Sequence, residues 1–186
     1  MALDSHVRRG HPSALTASRF CAPTNAVFAV IFGLLILFGI ITLSISAWLT
    51  SQFNKHGHQN GVSQRDRVRY VLFASTWTVV FSTFYLVLFL HSATGSVLTS
   101  IASHLIFLFL TWVIWTAAAA AVTQNLGGGL NCKTQDVFVY CGQLNALEAF
   151  CWIEWILVTL AIFFVIYRGV QAARRGDGYR GGLVSA

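Results

Sequence analysis

Four long apolar stretches constrain this chain more than any other feature of its sequence. They occupy about residues 26–49, 70–90, 97–121 and 144–167. A helix needs roughly 20 mostly apolar residues to cross the hydrocarbon core of a bilayer, and each stretch is long enough. None of them alternates polar and apolar residues as the strands of a membrane barrel do. We therefore predict an all-α membrane protein, an antiparallel bundle of four transmembrane helices.

The composition agrees with this class. Only 10% of the residues are charged and 56% are hydrophobic, whereas about a quarter of the residues of a soluble domain are charged. The first apolar stretch follows about 24 polar or mixed residues and ends near Trp48, not at a small-residue cleavage site. We therefore expect a retained signal-anchor and not a cleaved signal peptide.

The apolar stretches divide the chain into three parts. We expect an N-terminal tail over residues 1–24, a four-helix domain over 25–168 and a basic C-terminal tail over 169–186. Both tails have the polar composition of disordered segments. The short link HSATGS makes the second and third helices an antiparallel hairpin.

The basic residues and two cysteines predict the orientation. Seven basic residues fall on the side of the tails and five on the other side: Arg8, Arg9, Arg19, Arg168, Arg174, Arg175 and Arg180 against Lys55, Arg65, Arg67, Arg69 and Lys133. The positive-inside rule thus narrowly favours cytosolic tails. Cys132 and Cys141 share a loop on the opposite side, where an oxidising compartment would allow a disulfide. We expect that disulfide, with two free thiols as the alternative, and both termini cytosolic in the plasma membrane or secretory pathway.

Two groups of residues on the tail side are candidates for lipid contact. Cys21 lies just before the first stretch, where reversible palmitoylation occurs, and an unmodified cysteine is the alternative. Arg168, Arg174 and Arg175 follow the fourth stretch, and each would add about 1 kcal/mol of attraction to an anionic headgroup surface. A basic stop-transfer flank explains these arginines equally well.

The fourth stretch contains two acidic residues, in the run EAFCWIEW. Glu148 and Glu154 are six positions apart, about 120° around a helix, so they do not form a carboxylate pair. We expect Glu148 to reach interfacial water. Glu154 lies near the midplane on a face with the compact residues Cys151, Val158 and Ala161, which suits close helix contact. We expect Glu154 to link helices by hydrogen bonds, or alternatively to serve as a proton or ligand site.

Other polar and small residues of the stretches favour packing over chemistry. Hydroxyl groups available to Glu154 are those of Thr78, Ser82, Thr111 and Thr116. His104 and His91 lie at different depths, which does not suit a haem held by two histidines, so we expect His104 to be a buried hydrogen-bonding residue. Small residues at four-residue spacing indicate helix packing at Ala74, Thr78 and Ser82 and at Ala29 and Gly33. CxxC and HExxH motifs are absent from the sequence, and we expect no catalytic residue, metal or cofactor.

Three features of the stretches are shared with a known family. The second stretch begins within RVRYVLF and contains STWTVVFSTFY, Cys132 and Cys141 precede the fourth stretch, and ALEAFCWIEWIL opens it. In this pattern the chain resembles a fungal MARVEL-domain protein over about Asn25 to Arg168. The resemblance implies a non-enzymatic protein with four spans and cytosolic tails, involved in membrane microdomains, membrane apposition and vesicle traffic.

We therefore expect a non-enzymatic membrane protein that organises membrane domains or acts as an accessory or scaffold subunit. It would work by lateral helix packing with lipids and membrane-protein partners, as a homo-oligomer or within a larger integral membrane complex, without nucleic acid. The alternative is a small proton or ion transport protein, or a channel, that uses Glu154 and His104.

Overall fold

A computed structural model describes residues 14–56, 61–91, 101–129, 131–134 and 138–174 of the chain. Its helices are α1 (Ala14–His56), α2 (Val62–His91), α3 (Ile101–Leu126) and α4 (Cys141–Arg174). Each helix contains a segment long and apolar enough to cross a membrane, and these segments are Ala26–His56, Val62–Leu88, Ser103–Leu126 and Cys141–Gln171. The prediction of an all-α protein with four membrane helices is confirmed.

The helices are longer than the apolar stretches. α1 already begins at Ala14, inside the expected N-terminal tail, α2 begins at Val62, and α4 continues to Arg174. Polarity alone does not end a helix, because arginine and glutamine are good helix formers. α3 ends where the triple glycine begins, and Gly127 and Gly128 have φ angles of 71° and 96°. Both glycine N–H groups donate to the Thr123 carbonyl, which is the usual glycine termination of a helix.

Each helix buries one stripe of residues that repeats every seven positions. In α1 the stripe is Phe28, Phe32, Leu35, Gly39, Thr42, Ser46, Leu49 and Phe53, in alternating steps of four and three. In α4 it includes Leu144, Leu147, Cys151, Glu154, Val158, Ala161 and Val165. This spacing is typical of left-handed helix packing at a crossing angle of about 20°. Consecutive helices pack side by side and α4 packs against α1, so the bundle is antiparallel, as predicted.

The outward faces of the helices carry large apolar side chains. Val30, Ile106, Phe109 and Phe163 are each more than half exposed. In water, contiguous apolar surface of this kind drives association. In a bilayer it is the surface that hydrocarbon chains require.

A disulfide loop covers one end of the bundle, which we call the loop end; the opposite end, near Phe28 and Val165, is the tail end. Cys132 and Cys141 are joined by a disulfide, as predicted. The ring of Tyr140 lies 5.2 Å from that of Trp48 and 6.0 Å from that of Phe53, between centroids. These contacts hold the loop against the end of α1.

Candidate functional site: a buried polar layer

Glu154 lies in the middle of the bundle with 0% of its surface exposed. Its Oε1 atom is 3.5 Å from the position that a Cβ atom would take at Gly39 of α1. The same Cβ position is 2.9 Å from Cγ2 of Val79 and 4.0 Å from Cγ2 of Thr78, both on α2. Three helices therefore meet at Gly39, and any side chain there would overlap Val79.

Trp115 of α3 completes this arrangement. It is fully buried, and its Nε1–H donates to Oγ1 of Thr78 at 2.9 Å. The Thr78 hydroxyl in turn donates to the Ala74 carbonyl at 2.9 Å. Gly39, Thr78, Trp115 and Glu154 thus lie at the same depth, one from each helix. We call these four residues the central layer.

Further buried polar side chains border the central layer, namely Thr42, Ser46, Ser75, Ser82 and Thr111. The hydroxyls of Thr42, Ser75 and Thr111 donate to the carbonyl four residues earlier in their own helix. This local bond satisfies a hydroxyl in a medium without water. Among the described residues, by contrast, neither carboxyl oxygen of Glu154 nor Oγ of Ser82 has a hydrogen-bond partner.

Three of the hydroxyls expected to bond Glu154 are engaged elsewhere. Thr78 accepts the indole N–H of Trp115. Thr111 accepts that of Trp77 at 3.2 Å, and Thr116 accepts that of Trp155 at 2.9 Å. The structure places Glu154 inside the bundle but does not bring these hydroxyls to its carboxyl. Each of these hydroxyls accepts an indole N–H from a neighbouring helix, and Thr116 lies on the exposed face of α3.

The position of Glu148 corrects the expectation that this residue reaches interfacial water. Only 8% of its surface is exposed. α4 packs against both α1 and α3, so two positions 120° apart on α4 are both covered. Cys151, a buried free cysteine, lies one helical turn from each glutamate. All three residues are therefore buried in the bundle interior.

His104 lies near the tail end, away from Glu154. It is 1% exposed and surrounded by aromatic rings, with centroids at 4.6 Å for Tyr85, 5.5 Å for Phe28 and 6.3 Å for Phe32. Residues of the intervening layers, among them Leu35 and Phe32 of α1, lie between it and the central layer. In the part of the chain that the structure describes, His, Cys, Asp and Glu residues form no group of three or more suited to a metal ion.

The predicted packing and lipid-contact residues fall in different places. Ala74, Thr78 and Ser82 are all buried. Ala29 and Gly33 are only half-buried, and a Cβ at Gly33 would meet nothing within 4 Å. These two are therefore not at a close helix contact within the chain, because the buried stripe of α1 passes through Phe32 and Gly39 instead.

Of the residues predicted to contact lipid, Arg168 is half-buried and Arg174 is exposed. Cys21 belongs to the backbone of α1, but its side chain lies outside the described residues, as does all of Arg175.

Tryptophan–threonine hydrogen bonds between helices are the feature that the sequence analysis missed. Trp112 donates to Thr159 at 3.1 Å and Trp155 donates to Thr116 at 2.9 Å. Thr116 donates to the Trp112 carbonyl and Thr159 to the Trp155 carbonyl, each at 2.8 Å. We call this reciprocal set between α3 and α4 the Trp–Thr clasp. Its signal in the sequence is the pair WVIWT and WILVT, which places tryptophan four residues before threonine in both helices.

Removing one indole N–H of the clasp is expected to weaken the α3–α4 contact. Trp155→Phe keeps an aromatic ring and deletes the donor, and hydrogen bonds between membrane helices contribute about 0.6–1.7 kcal/mol. The measurement is the free energy of unfolding of Trp155→Phe, Trp112→Phe and the double variant. The losses of the two single variants should not add up to the loss of the double variant, because the two hydrogen bonds belong to one closed cycle of donors and acceptors. Trp48→Phe, at a tryptophan that packs on Tyr140, is the control. If Trp155→Phe loses no more free energy of unfolding than Trp48→Phe, the hydrogen bonds of the clasp do not stabilise the α3–α4 contact.

The antiparallel bundle buries polar side chains such as Thr78 and Glu154 and exposes large apolar ones, which defines an integral membrane protein with four spans. A family model described as MARVEL, the membrane-associating domain, matches residues 12–164. This match spans most of the chain, including the central layer and the clasp, so the chain belongs to the MARVEL family. The resemblance inferred from the sequence is confirmed at the level of the family. No curated protein and no solved structure matches the chain.

Proposed function

We propose that this protein organises membrane domains, or acts as an accessory or scaffold subunit, through lateral packing of its outward faces. The observation that supports this function is the partition of the span residues. The polar side chains of the central layer and its borders are buried, while Val30, Phe109, Phe163 and their neighbours present large apolar surfaces outward. The surface available to a partner within the bilayer is therefore mainly apolar, with scattered hydroxyl groups at Ser44, Thr76, Thr83 and Thr116, and suits lipids and other membrane helices.

This function can be tested by native mass spectrometry. The protein is first extracted with its surrounding lipid in polymer-bounded discs. We expect a homo-oligomer or a stoichiometric membrane-protein partner. Single tryptophan substitutions at the outward positions Leu37, Phe109 and Phe163 keep the surface apolar and identify the face involved, since only one of them should release the partner. A monomer accompanied by no protein and no retained lipid would contradict the proposal.

We further propose that the protein resides in the plasma membrane or secretory pathway with both termini in the cytosol. The Cys132–Cys141 disulfide supports this orientation because it requires an oxidising compartment at the loop end. In intact cells, a membrane-impermeant maleimide should label the protein only after an impermeant reductant has been added. A Cys21→Ser variant should label identically, and labelling that depends on Cys21 would reverse the orientation.

Transport through Glu154 and His104 is less well supported. The two residues lie at different depths, with aromatic and aliphatic layers between them. A further layer of Leu49, Val68, Leu126 and Leu144, each at most 6% exposed, lies on the loop-end side of the glutamates. We expect no proton flux in liposomes from the wild type or from Glu154→Gln. A wild-type flux that Glu154→Gln abolishes would establish transport instead.

A further inference from the structure

The first two turns of α2 project beyond the hydrocarbon at the loop end. About 20 residues are enough for a helix to cross a bilayer, and residues 70–88 of α2 already provide that length. Residues 62–69, which precede them, include four charged side chains, and hydrocarbon does not accommodate such side chains. About 12 Å of α2 therefore lies outside the apolar part of the membrane, where it is open to a water-soluble partner.

One face of this projecting segment carries Val62, Arg65 and Arg69, which are three and seven positions apart. Val62 and Arg69 are exposed and Arg65 is half-buried. Nη2 of Arg69 donates to Oδ1 of Asn54 at 3.1 Å, so this face lies beside the end of α1. Lys55 follows Asn54 in α1 and is also exposed. Two helices thus bring three cations and one apolar side chain to the same place.

The disulfide loop adds a second apolar side chain beside the same end of α1. Val139 is 63% exposed and precedes Tyr140, whose ring centroid is 6.0 Å from that of Phe53. Phe53 in turn precedes Asn54, which accepts the hydrogen bond from Arg69. We call the following five residues the loop-end patch: Lys55, Val62, Arg65, Arg69 and Val139.

The cations of the loop-end patch are not balanced by acids. Asp66 lies 3.9 Å from Nε of Arg65, and it is the only exposed acidic residue in the part of the chain that the structure describes. The guanidinium of Arg69 is held by the neutral amide of Asn54, so its charge is retained. In the two segments that connect helices at this end, the sequence has five basic residues and two acidic ones. An anionic partner is therefore attracted to the patch.

We propose that the loop-end patch binds an acidic segment of a partner protein, in which apolar residues are interspersed with aspartate or glutamate. An anionic polysaccharide or a lipid headgroup would match the cations but would leave Val62 and Val139 exposed to water. A second copy of this chain does not supply such a segment, because its six acidic residues are scattered and none is closer than six positions to another. The patch goes beyond the proposed function, since it lies outside the bilayer and does not depend on which side of the membrane the loop end faces.

Peptide binding to the full-length protein in discs of neutral phosphatidylcholine tests the patch. The probe is a short fluorescent peptide of glutamate with interspersed leucine, and its affinity is measured by fluorescence anisotropy. In one control peptide glutamine replaces each glutamate, and in the other serine replaces each leucine. We expect the probe to bind more tightly than either control, and its affinity to fall as salt is added, since salt screens exposed charges. A sulfated polysaccharide should displace the serine peptide more readily than the probe.

Variants of the patch locate the binding. Lys55→Gln and Arg69→Gln should each lower the affinity for the probe about threefold at low salt, the size of one exposed ion pair, and Val139→Ser should lower it without changing the dependence on salt. Arg174→Gln, at an exposed arginine of the tail end, is the matched control and should leave the affinity unchanged. Equal losses in Lys55→Gln and Arg174→Gln, or equal binding of the probe and the serine peptide, would overturn the proposal. If Arg69→Gln fails to fold, Lys55→Gln decides by itself, because it alters only an exposed side chain.

Discussion

Gly39→Leu is expected to lower the free energy of unfolding by about 1–2 kcal/mol, while Gly33→Leu leaves it unchanged or raises it. Leucine at position 39 would place Cβ 2.9 Å from Cγ2 of Val79 and 3.5 Å from Oε1 of Glu154. Overpacking of this kind typically costs 1–3 kcal/mol, more than the roughly 1 kcal/mol that a helix gains when glycine is replaced. At position 33 the same propensity gain applies, and a Cβ there meets nothing within 4 Å.

The comparison isolates the effect of side-chain packing, because the two glycines lie six residues apart in the same helix and the same membrane. Thermal or denaturant unfolding in detergent micelles measures both variants against the wild type, and Gly39→Ala should fall between the wild type and Gly39→Leu. Equal effects of leucine at the two positions would show that Gly39 does not lie at a close contact of α1 with α2 and α4.

Glu154→Met is expected to raise the free energy of unfolding by about 1–3 kcal/mol. Methionine has an unbranched side chain of similar length and brings no strong hydrogen-bonding group into the interior. Both carboxyl oxygens of Glu154 are buried without a hydrogen-bond partner among the described residues. Leaving a buried polar group unsatisfied costs about 1–3 kcal/mol, and its replacement by an apolar group of the same shape recovers that cost.

The measurement is the free energy of unfolding, determined under the same conditions for Glu154→Met, Glu154→Gln and the wild type. Glu154→Gln keeps a polar head at the same place and should therefore change stability much less than Glu154→Met. Destabilisation by methionine would mean that the carboxyl makes a favourable interaction in the folded protein. The carboxyl would then be a binding group and not only a polar residue enclosed by packing.

The number of spans and the disulfide could be predicted because they depend on local properties of the sequence. A run of about 20 apolar residues is sufficient for a membrane helix. Cys132 and Cys141 are only nine positions apart in one loop. Most conformations of so short a loop therefore bring the two cysteines close together. The inward position of Glu154 follows from the cost of placing a carboxyl group against lipid.

The packing partners could not be predicted, because the lipid-facing side of a membrane helix is as apolar as its packed side. Hydrophobic periodicity therefore does not mark the packed face, and the sequence analysis selected Gly33 where the structure uses Gly39. Glu148 is buried for a related reason, since the covered area of α4 depends on how closely α1 and α3 approach it. Polar and small residues at seven-residue spacing, such as Gly39 and Ser46 in α1 and Ser75 and Ser82 in α2, are the signal that marks the interior.

The sequence by itself thus determined that four helices cross a membrane and that Cys132 and Cys141 can be joined, because these outcomes depend on residues close together in the chain. Only the tertiary structure decided which groups meet. It showed that tryptophans of α2, α3 and α4 donate to threonine hydroxyls of neighbouring helices, and that the Glu154 carboxyl lies against Gly39. That outcome depends on the relative depth and rotation of four helices, which packing of side chains far apart in the sequence determines.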